Sequence, residues 1–222
     1  MTAEILNDVA LGDDESLDAI SNASAITGNA VDVFIYDTSN DSDGGAWRKR
    51  TQATSWYNET LNTSTRGSRK EFPSVAVIVA EANTLTIYDG DTPDLDMWMV
   101  FTSATGQGPY PTGTYTSSFL NNYWNNADNA IAAMNGSIFA TTRRAAGALP
   151  NLITGVSEFS FIEDTCYFTN DWNKHKFNRA MVNRDVNAKD YFIYSSGGIV
   201  NVNANDVAMT VLPNAPIDST TG

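Results

Sequence analysis

The sequence predicts an all-β or strongly β-dominated fold of antiparallel meanders and hairpins, sandwich- or propeller-like, with an acidic N-terminal arm. Three observations carry this. Apolar runs are short and alternate with polar residues, the period of a strand rather than of a helix. Gly, Asn, Asp and Pro punctuate those runs at close intervals. Thr and Asn, 24 and 23 of 222 residues, favour turns and polar strands over long helices. A chain this long buries roughly 70% of its unfolded surface, so its core needs no metal or covalent staple.

Residues 1–30 read as the acidic arm. Leu6, Val9, Leu17 and Ile20 recur loosely, but Gly12 and the run Asp13-Asp14-Glu15 interrupt them. A short helix over 13–22 would place those early carboxylates well for the helix dipole, and would need a partner to hold it. Residues 31–104 form a β-meander region. Val31–Asp37 alternates as a strand and runs into the polar loop 38–45. After Pro73, Val75–Ala80 turns at 81–83 into Thr84–Gly90, and a second turn at 91–94 leads to Met97–Phe101. Residues 105–126, rich in Gly, Pro, Thr, Tyr and Asn without a period, read as a loop or linker.

A second β-rich region spans 127–212. Asn135-Gly136 between Ile131–Met134 and Ser137–Thr141 is the strongest hairpin signal in the chain. Val156–Ile162 and Thr165–Thr169 pair about Glu163-Asp164. Tyr191–Tyr194 and Ile199–Asn203 pair across Ser195–Gly198, and Val207–Leu212 is the last strand. Residues 213–222, with Pro213 and Pro216, read as a linker to a further C-terminal part.

Composition excludes several classes of chemistry. One cysteine, Cys166, rules out an internal disulfide framework and multi-cysteine metal sites. One histidine, His175, rules out His-rich centres and any two-histidine mechanism. The longest apolar run, Val75–Ala80, is far too short to span a bilayer, so no membrane insertion is expected. The start lacks the basic and apolar regions of a secretory leader, which implies synthesis in a cytosol. Of the net charge of −13, residues 1–46 contribute ten acids and no base, while six of the thirteen bases lie between 48 and 70. That imbalance disfavours nucleic acid and anionic membranes as partners.

Five features of the sequence are candidates for chemistry or binding. Asp37, Asp41 and Asp43 before Gly44 are the best metal candidate, because Ca²⁺ takes closely spaced hard oxygens. The EF-hand pattern fails, since Arg50 stands where the bidentate Glu belongs, and a solvated turn is the favoured reading. Asp89, Asp91, Asp94 and Asp96 contain the paired carboxylates of glycoside hydrolysis, but on a short turn such groups cap backbone and face water. His175, between Lys174 and Lys176, would have to serve as the base of any serine mechanism, and no Gly-x-Ser-x-Gly elbow occurs; it reads as a surface-loop histidine. Cys166 reads as a buried core thiol. Trp47, Arg48, Arg50, Trp56 and Tyr57 mix bases with aromatics and read as interface residues, Arg and Trp being frequent anchors of protein contacts. No catalytic residue and no cofactor are expected.

Several stretches resemble structural proteins of tailed phages from marine bacteria. They are Val33–Gln52, including Asp41-Ser42-Asp43-Gly44-Gly45-Ala46-Trp47-Arg48, then Thr54–Asn62 and Thr65–Pro73. Ile87-Tyr88-Asp89-Gly90-Asp91, Met97–Phe101 and Asn205–Pro213 extend the likeness, which is close over 31–101 and 199–218 and looser between. The resemblance implies a tail-fibre or tail-appendage component of the virion that attaches to the tail, forms a homo-oligomer (a trimer by preference), and presents a distal part to the host. In that family the chain commonly continues into more β-structure, so this sequence is expected to be an N-terminal portion. No catalytic role is implied. The alternatives are a nozzle-like tail tube protein with a propeller body, and a host-surface carbohydrate-binding or depolymerase module.

Overall fold

The computed structural model describes residues 26–81, 84–102, 116–117, 130–143, 154–169, 173–177, 180–183, 188–189, 192–196 and 207–210. They form twelve strands, three short 3₁₀ helices and almost no α-helix. The first sheet is an antiparallel meander of β1 (Asp32–Asp37), β2 (Val75–Ala80), β3 (Thr84–Asp89) and β4 (Met97–Thr102), side by side in chain order. Two short turns join β2, β3 and β4, the arrangement expected of closely spaced β-runs, whereas β1 reaches β2 across the long segment 38–74. The acidic arm lies outside the described residues except for 26–30.

The second sheet has six antiparallel strands. In spatial order they are β12 (Phe192–Ser196), β10 (Asn173–Phe177), β9 (Thr165–Thr169), β8 (Thr154–Ser160), β7 (Ser137–Arg143) and β6 (Ile131–Met134). Asn135 and Gly136 take φ of 51° and 70°, both in the left-handed region that a two-residue type I′ turn requires. A side chain at Gly136 would also strike Ile162 at 2.8 Å and Trp47 at 3.1 Å. The pair about Glu163-Asp164 forms as expected. A two-residue ladder joins β5 (Thr116–Ser117) to β11 (Ala188–Lys189), so strand structure enters the segment read as linker.

Three expectations are corrected. Residues 173–177 are a strand between β9 and β12, not a surface loop. β12 takes in Ser195 and Ser196 and pairs with β10; residues 199–203 lie outside the described residues. Residues 207–210 belong to no strand. The described sheets are open, and neither closes into a barrel or propeller.

One core lies against both sheets. From the first come Tyr36, Ala76, Ile78, Leu85, Ile87, Met99 and Phe101. The second contributes Ile131, Ala133, Ile138, Ala140, Phe159 and Cys166, and the register places these on a single face. Phe101 and Phe159 meet across the layers with ring centroids 4.6 Å apart. The first sheet is also covered on its other face, where Val77 and Val79 are buried with Leu95 against Ile26, Ala30, Val33, Ile35 and Tyr88. Alternation along β2–β4 predicts a single core of Val75, Val77, Val79, Leu85, Ile87, Trp98 and Val100, and the two covered faces split it. Val77, Val79, Leu85, Ile87 and Trp98 are buried, but on two faces, while Val75 and Val100 are half-buried. Ile87 is fully buried at the centre of the main core, and Ile87→Ala is expected to cost about 2–5 kcal/mol by chemical denaturation.

Candidate functional site

The acidic turn after β1 is a joint between the sheets. Asp41, 7% exposed, accepts three hydrogen bonds: Tyr36 Oη at 2.6 Å and Trp47 Nε1 at 2.7 Å on Oδ2, and the Asn135 amide at 2.7 Å on Oδ1. The Gly136 amide donates to Tyr36 Oη at 2.8 Å, and Asn135 Oδ1 accepts from the Ser42 amide at 2.9 Å and Ser42 Oγ at 3.0 Å. The hairpin tip of the second sheet is thus plugged into the loop of the first. Burial pushes the Tyr36 phenol far above its ordinary range, and the Asp41 hydrogen bond and charge push it further. Asp37 caps the following 3₁₀ turn through the Ser39 amide, and Asp43 pairs with Arg50 at 2.7 Å. Each of the three carboxylates thus takes a donor of the protein, while Asp43 Oδ1 is buried without one. Among the described residues, no group of three or more His, Cys, Asp or Glu is placed to hold a metal.

The basic and aromatic segment is corrected more sharply. Trp47 and Trp56, read as interface anchors, are 1% and 0% exposed. With Phe72, Trp98 and Phe161 they build an edge-on and tilted aromatic cluster, centroids 4.9–5.6 Å apart. Such pairs contribute beyond the area they bury. Their indole N–H groups are satisfied inside, Trp56 by Phe161 O at 2.9 Å. Tyr57 is half-buried against Trp56, Arg48 donates to Phe72 O, and Arg50 remains largely exposed on Asp43. An interface reading needs apolar side chains on the outside, and these tryptophans are spent on the inside.

Sequence reasoning missed the residue that organises this segment. Arg66 is fully buried, pairs with Glu59 at 2.8 Å, donates to Trp98 O and Lys70 O at 2.9 Å each, and stacks its guanidinium 4.2 Å from the Trp98 ring. Backbone bonds from Gly67 N to Trp98 O and from Val100 N to Thr65 O cover the outer edge of β4. Asp164, in sequence no more than a turn residue, is likewise an anchor. Its carboxylate accepts from the Ser55 amide and hydroxyl and from the Met181 amide, tying residues 55 and 181 to the β8–β9 turn of the second sheet. Nothing in the local sequence marks either residue: Arg66 meets a carboxylate and two backbone carbonyls in no recognisable pattern, and Asp164 finds Ser55 more than a hundred positions away.

Asp89, Asp91 and Asp96 of the second acidic cluster, but not Asp94, line a cleft of about 320 Å³ with Ser68, Arg69 and Thr92. Arg69 Nη1 lies 2.9 Å from both Asp89 carboxylate oxygens and 2.6 Å from Asp91 Oδ2. Asp91 also accepts from the Ser74 amide and hydroxyl and from the Val75 amide. Burial raises the Asp91 carboxyl, but the Ser74, Val75 and Arg69 hydrogen bonds outweigh it and hold the carboxyl at about 2. A group so strongly ionised cannot act as a general acid near neutrality. Asp94 and Asp96 are exposed, and Trp98 in the cleft wall is 1% exposed, leaving no ring face for a sugar to stack on.

A pH dependence follows from Asp91. Its folded value lies below its ordinary 3.8, so its contribution to stability is complete above that value and is lost as pH falls towards 2. Denaturant midpoints measured down that range are expected to fall, and Asp91→Asn should remove this part of the acid slope. An unchanged slope in the variant would count against the assignment.

Cys166 is buried, 1% exposed, as expected of a core thiol. His175 lies on β10. Among the described residues no helix is long and apolar enough to cross a membrane. No protein-family model, characterised protein or solved structure matches the chain.

Proposed function

We propose that this chain is a structural virion protein of a tailed phage, a tail-fibre or tail-appendage component that attaches to the tail and carries a distal host-contacting part. One observation supports this most. The stretches that resemble such proteins hold the residues that weld the two sheets together: Asp41, Trp47, Trp56, Phe72 and Trp98. Their polar groups are satisfied by this chain, so what they provide is rigidity. A virion component needs that more than it needs a reaction centre. On this reading the chain acts in the particle as a homo-oligomer, preferably a trimer, beside other tail proteins.

The interface falls elsewhere than on the tryptophans. Opposite charges in the two segments already meet within one chain, as at Asp43 and Arg50. Lys49 and Arg50 remain exposed on this side for contacts between copies. The propeller-bodied alternative lacks support, since the described sheets are open. Among the described residues, the carbohydrate-binding alternative lacks the exposed aromatic platform it needs.

Antibody raised against the folded chain and bound to purified particles tests the reading. Label at the tail or its appendages is the expected result. Label on the head, or purified particles that lack the chain, would refute it. Sedimentation of the isolated chain then tests the trimer separately.

A further inference from the structure

Asn135-Gly136 is the single Asn-Gly pair in the sequence. Asn-Gly is the dipeptide most prone to deamidation, because glycine lets its amide nitrogen reach the preceding side chain. Here the pair sits at the tip of the β6–β7 hairpin, where the two sheets lock together. We propose that Asn135 is a deamidation site gated by docking of its own hairpin: closed while the tip is seated on Tyr36, Asp41 and Ser42, and open when the tip lifts out.

The chemistry needs no partner but water. Gly136 N attacks Asn135 Cγ, a new N–C bond closes a five-membered imide, and the Cγ–Nδ2 bond breaks with loss of ammonia. Water then opens the imide at either carbonyl. One product is Asp, and the other is isoaspartate, with the main chain rerouted through the side-chain carbonyl.

Docking opposes each movement this requires. The attacking nitrogen must give up its proton, and the Gly136 N–H is held on Tyr36 Oη at 2.8 Å. That phenol cannot take the proton as a base, since it is itself a donor to Asp41. The side chain must swing to present Cγ, and its Oδ1 is held by two donors of Ser42. The turn must rotate, yet Asn135 N is fixed on Asp41 Oδ1 at 2.7 Å and Gly136 O on Phe161 N at 2.8 Å. Gly136 is buried. Reaction therefore draws on the small population in which the tip is undocked.

The product could not be seated again. Isoaspartate adds a carbon to the backbone between the two amides, so these can no longer reach Asp41 and Tyr36 together from a turn with φ of 51° and 70°. It also brings a second carboxylate beside Asp41. A brief opening of the joint is thereby converted into a permanent one.

The test follows isoaspartate and Asp at position 135 by peptide mass spectrometry, with the full chain held at mildly alkaline pH. Native wild type is expected to react at least about tenfold more slowly than the same chain in guanidinium chloride, because reaction is limited by the open fraction. Tyr36→Phe removes the acceptor of the Gly136 amide and should speed the native reaction about tenfold or more. Equal rates for native and denatured wild type would overturn the proposal. So would a folded Tyr36→Phe chain that reacts no faster than wild type. If that variant does not fold, Ser42→Ala, which removes one donor to Asn135 Oδ1, is read in the same way. Hydrogen exchange at the Gly136 amide supplies an independent measure, with free exchange in the native wild type again overturning the gate.

Discussion

Arg66→Ala is expected to destabilise the fold by about 3–5 kcal/mol, because it leaves the Glu59 carboxylate buried without its cation. Arg66 is 0% exposed and Glu59 7%, so water cannot easily replace the lost partner. The variant also deletes the donors to Trp98 O and Lys70 O and uncovers the face of the Trp98 ring. Arg66→Met separates charge from volume: it refills much of the space but still strands Glu59. Adding Glu59→Leu to Arg66→Met should recover a large part of the loss, since a buried pair replaced as a unit by apolar groups is often close to neutral. The pair would then serve to fix where the 59–70 segment lies rather than to add net stability. Denaturant unfolding of the three chains decides the matter. An Arg66→Ala chain within about 0.5 kcal/mol of wild type would show that the pair is not desolvated as described.

The contrast between what the sequence revealed and what it hid has a physical origin. Strands β1 to β4, the Asn135-Gly136 hairpin and the turn at Asp164 were legible because each is specified within a few residues, by alternation and by turn chemistry. The burial of Trp47 and Trp56 was not. In sequence they stand among Arg48, Lys49, Arg50 and Thr54, which looks like a solvated surface. In space, the chain from 47 to 73 is irregular and folds its aromatic groups inward onto Phe161, a residue more than a hundred positions away from Trp56. Arg66 and Glu59 were hidden for a related reason. A buried ion pair has no local pattern, and its acceptors on Trp98 and Lys70 are backbone carbonyls that any residue would supply. Likewise, Asp37, Asp41 and Asp43 looked alike as carboxylates in a polar loop. Only the fold separates a 3₁₀ cap, an inter-sheet acceptor and a partner for Arg50.

Of those three, Asp41 should show the second large effect. Asp41→Ala is expected to cost about 3–5 kcal/mol, since it strands three donors at once, and each buried donor left unpaired costs about 1–3 kcal/mol. Tyr36 Oη and Trp47 Nε1 lose Oδ2, and the Asn135 amide loses Oδ1. Asp41→Asn is the sharper variant, because it keeps the shape. A carboxamide offers one oxygen and a donor NH2 group, so whichever way it turns, the NH2 faces a donor of the protein. It should therefore cost a substantial part of the alanine effect, although it removes no volume. The damage should also be shared between the sheets. Combining Asp41→Asn with Tyr36→Phe should cost less than the sum of the two single changes, because the phenol is one of the donors that the first change strands. The indole N–H of Trp47, observed by NMR, reports on the same joint and should shift and exchange faster in either Asp41 variant. If both Asp41 variants stay within about 0.5 kcal/mol of wild type, the two sheets do not depend on this carboxylate, and their cohesion rests on the aromatic core alone.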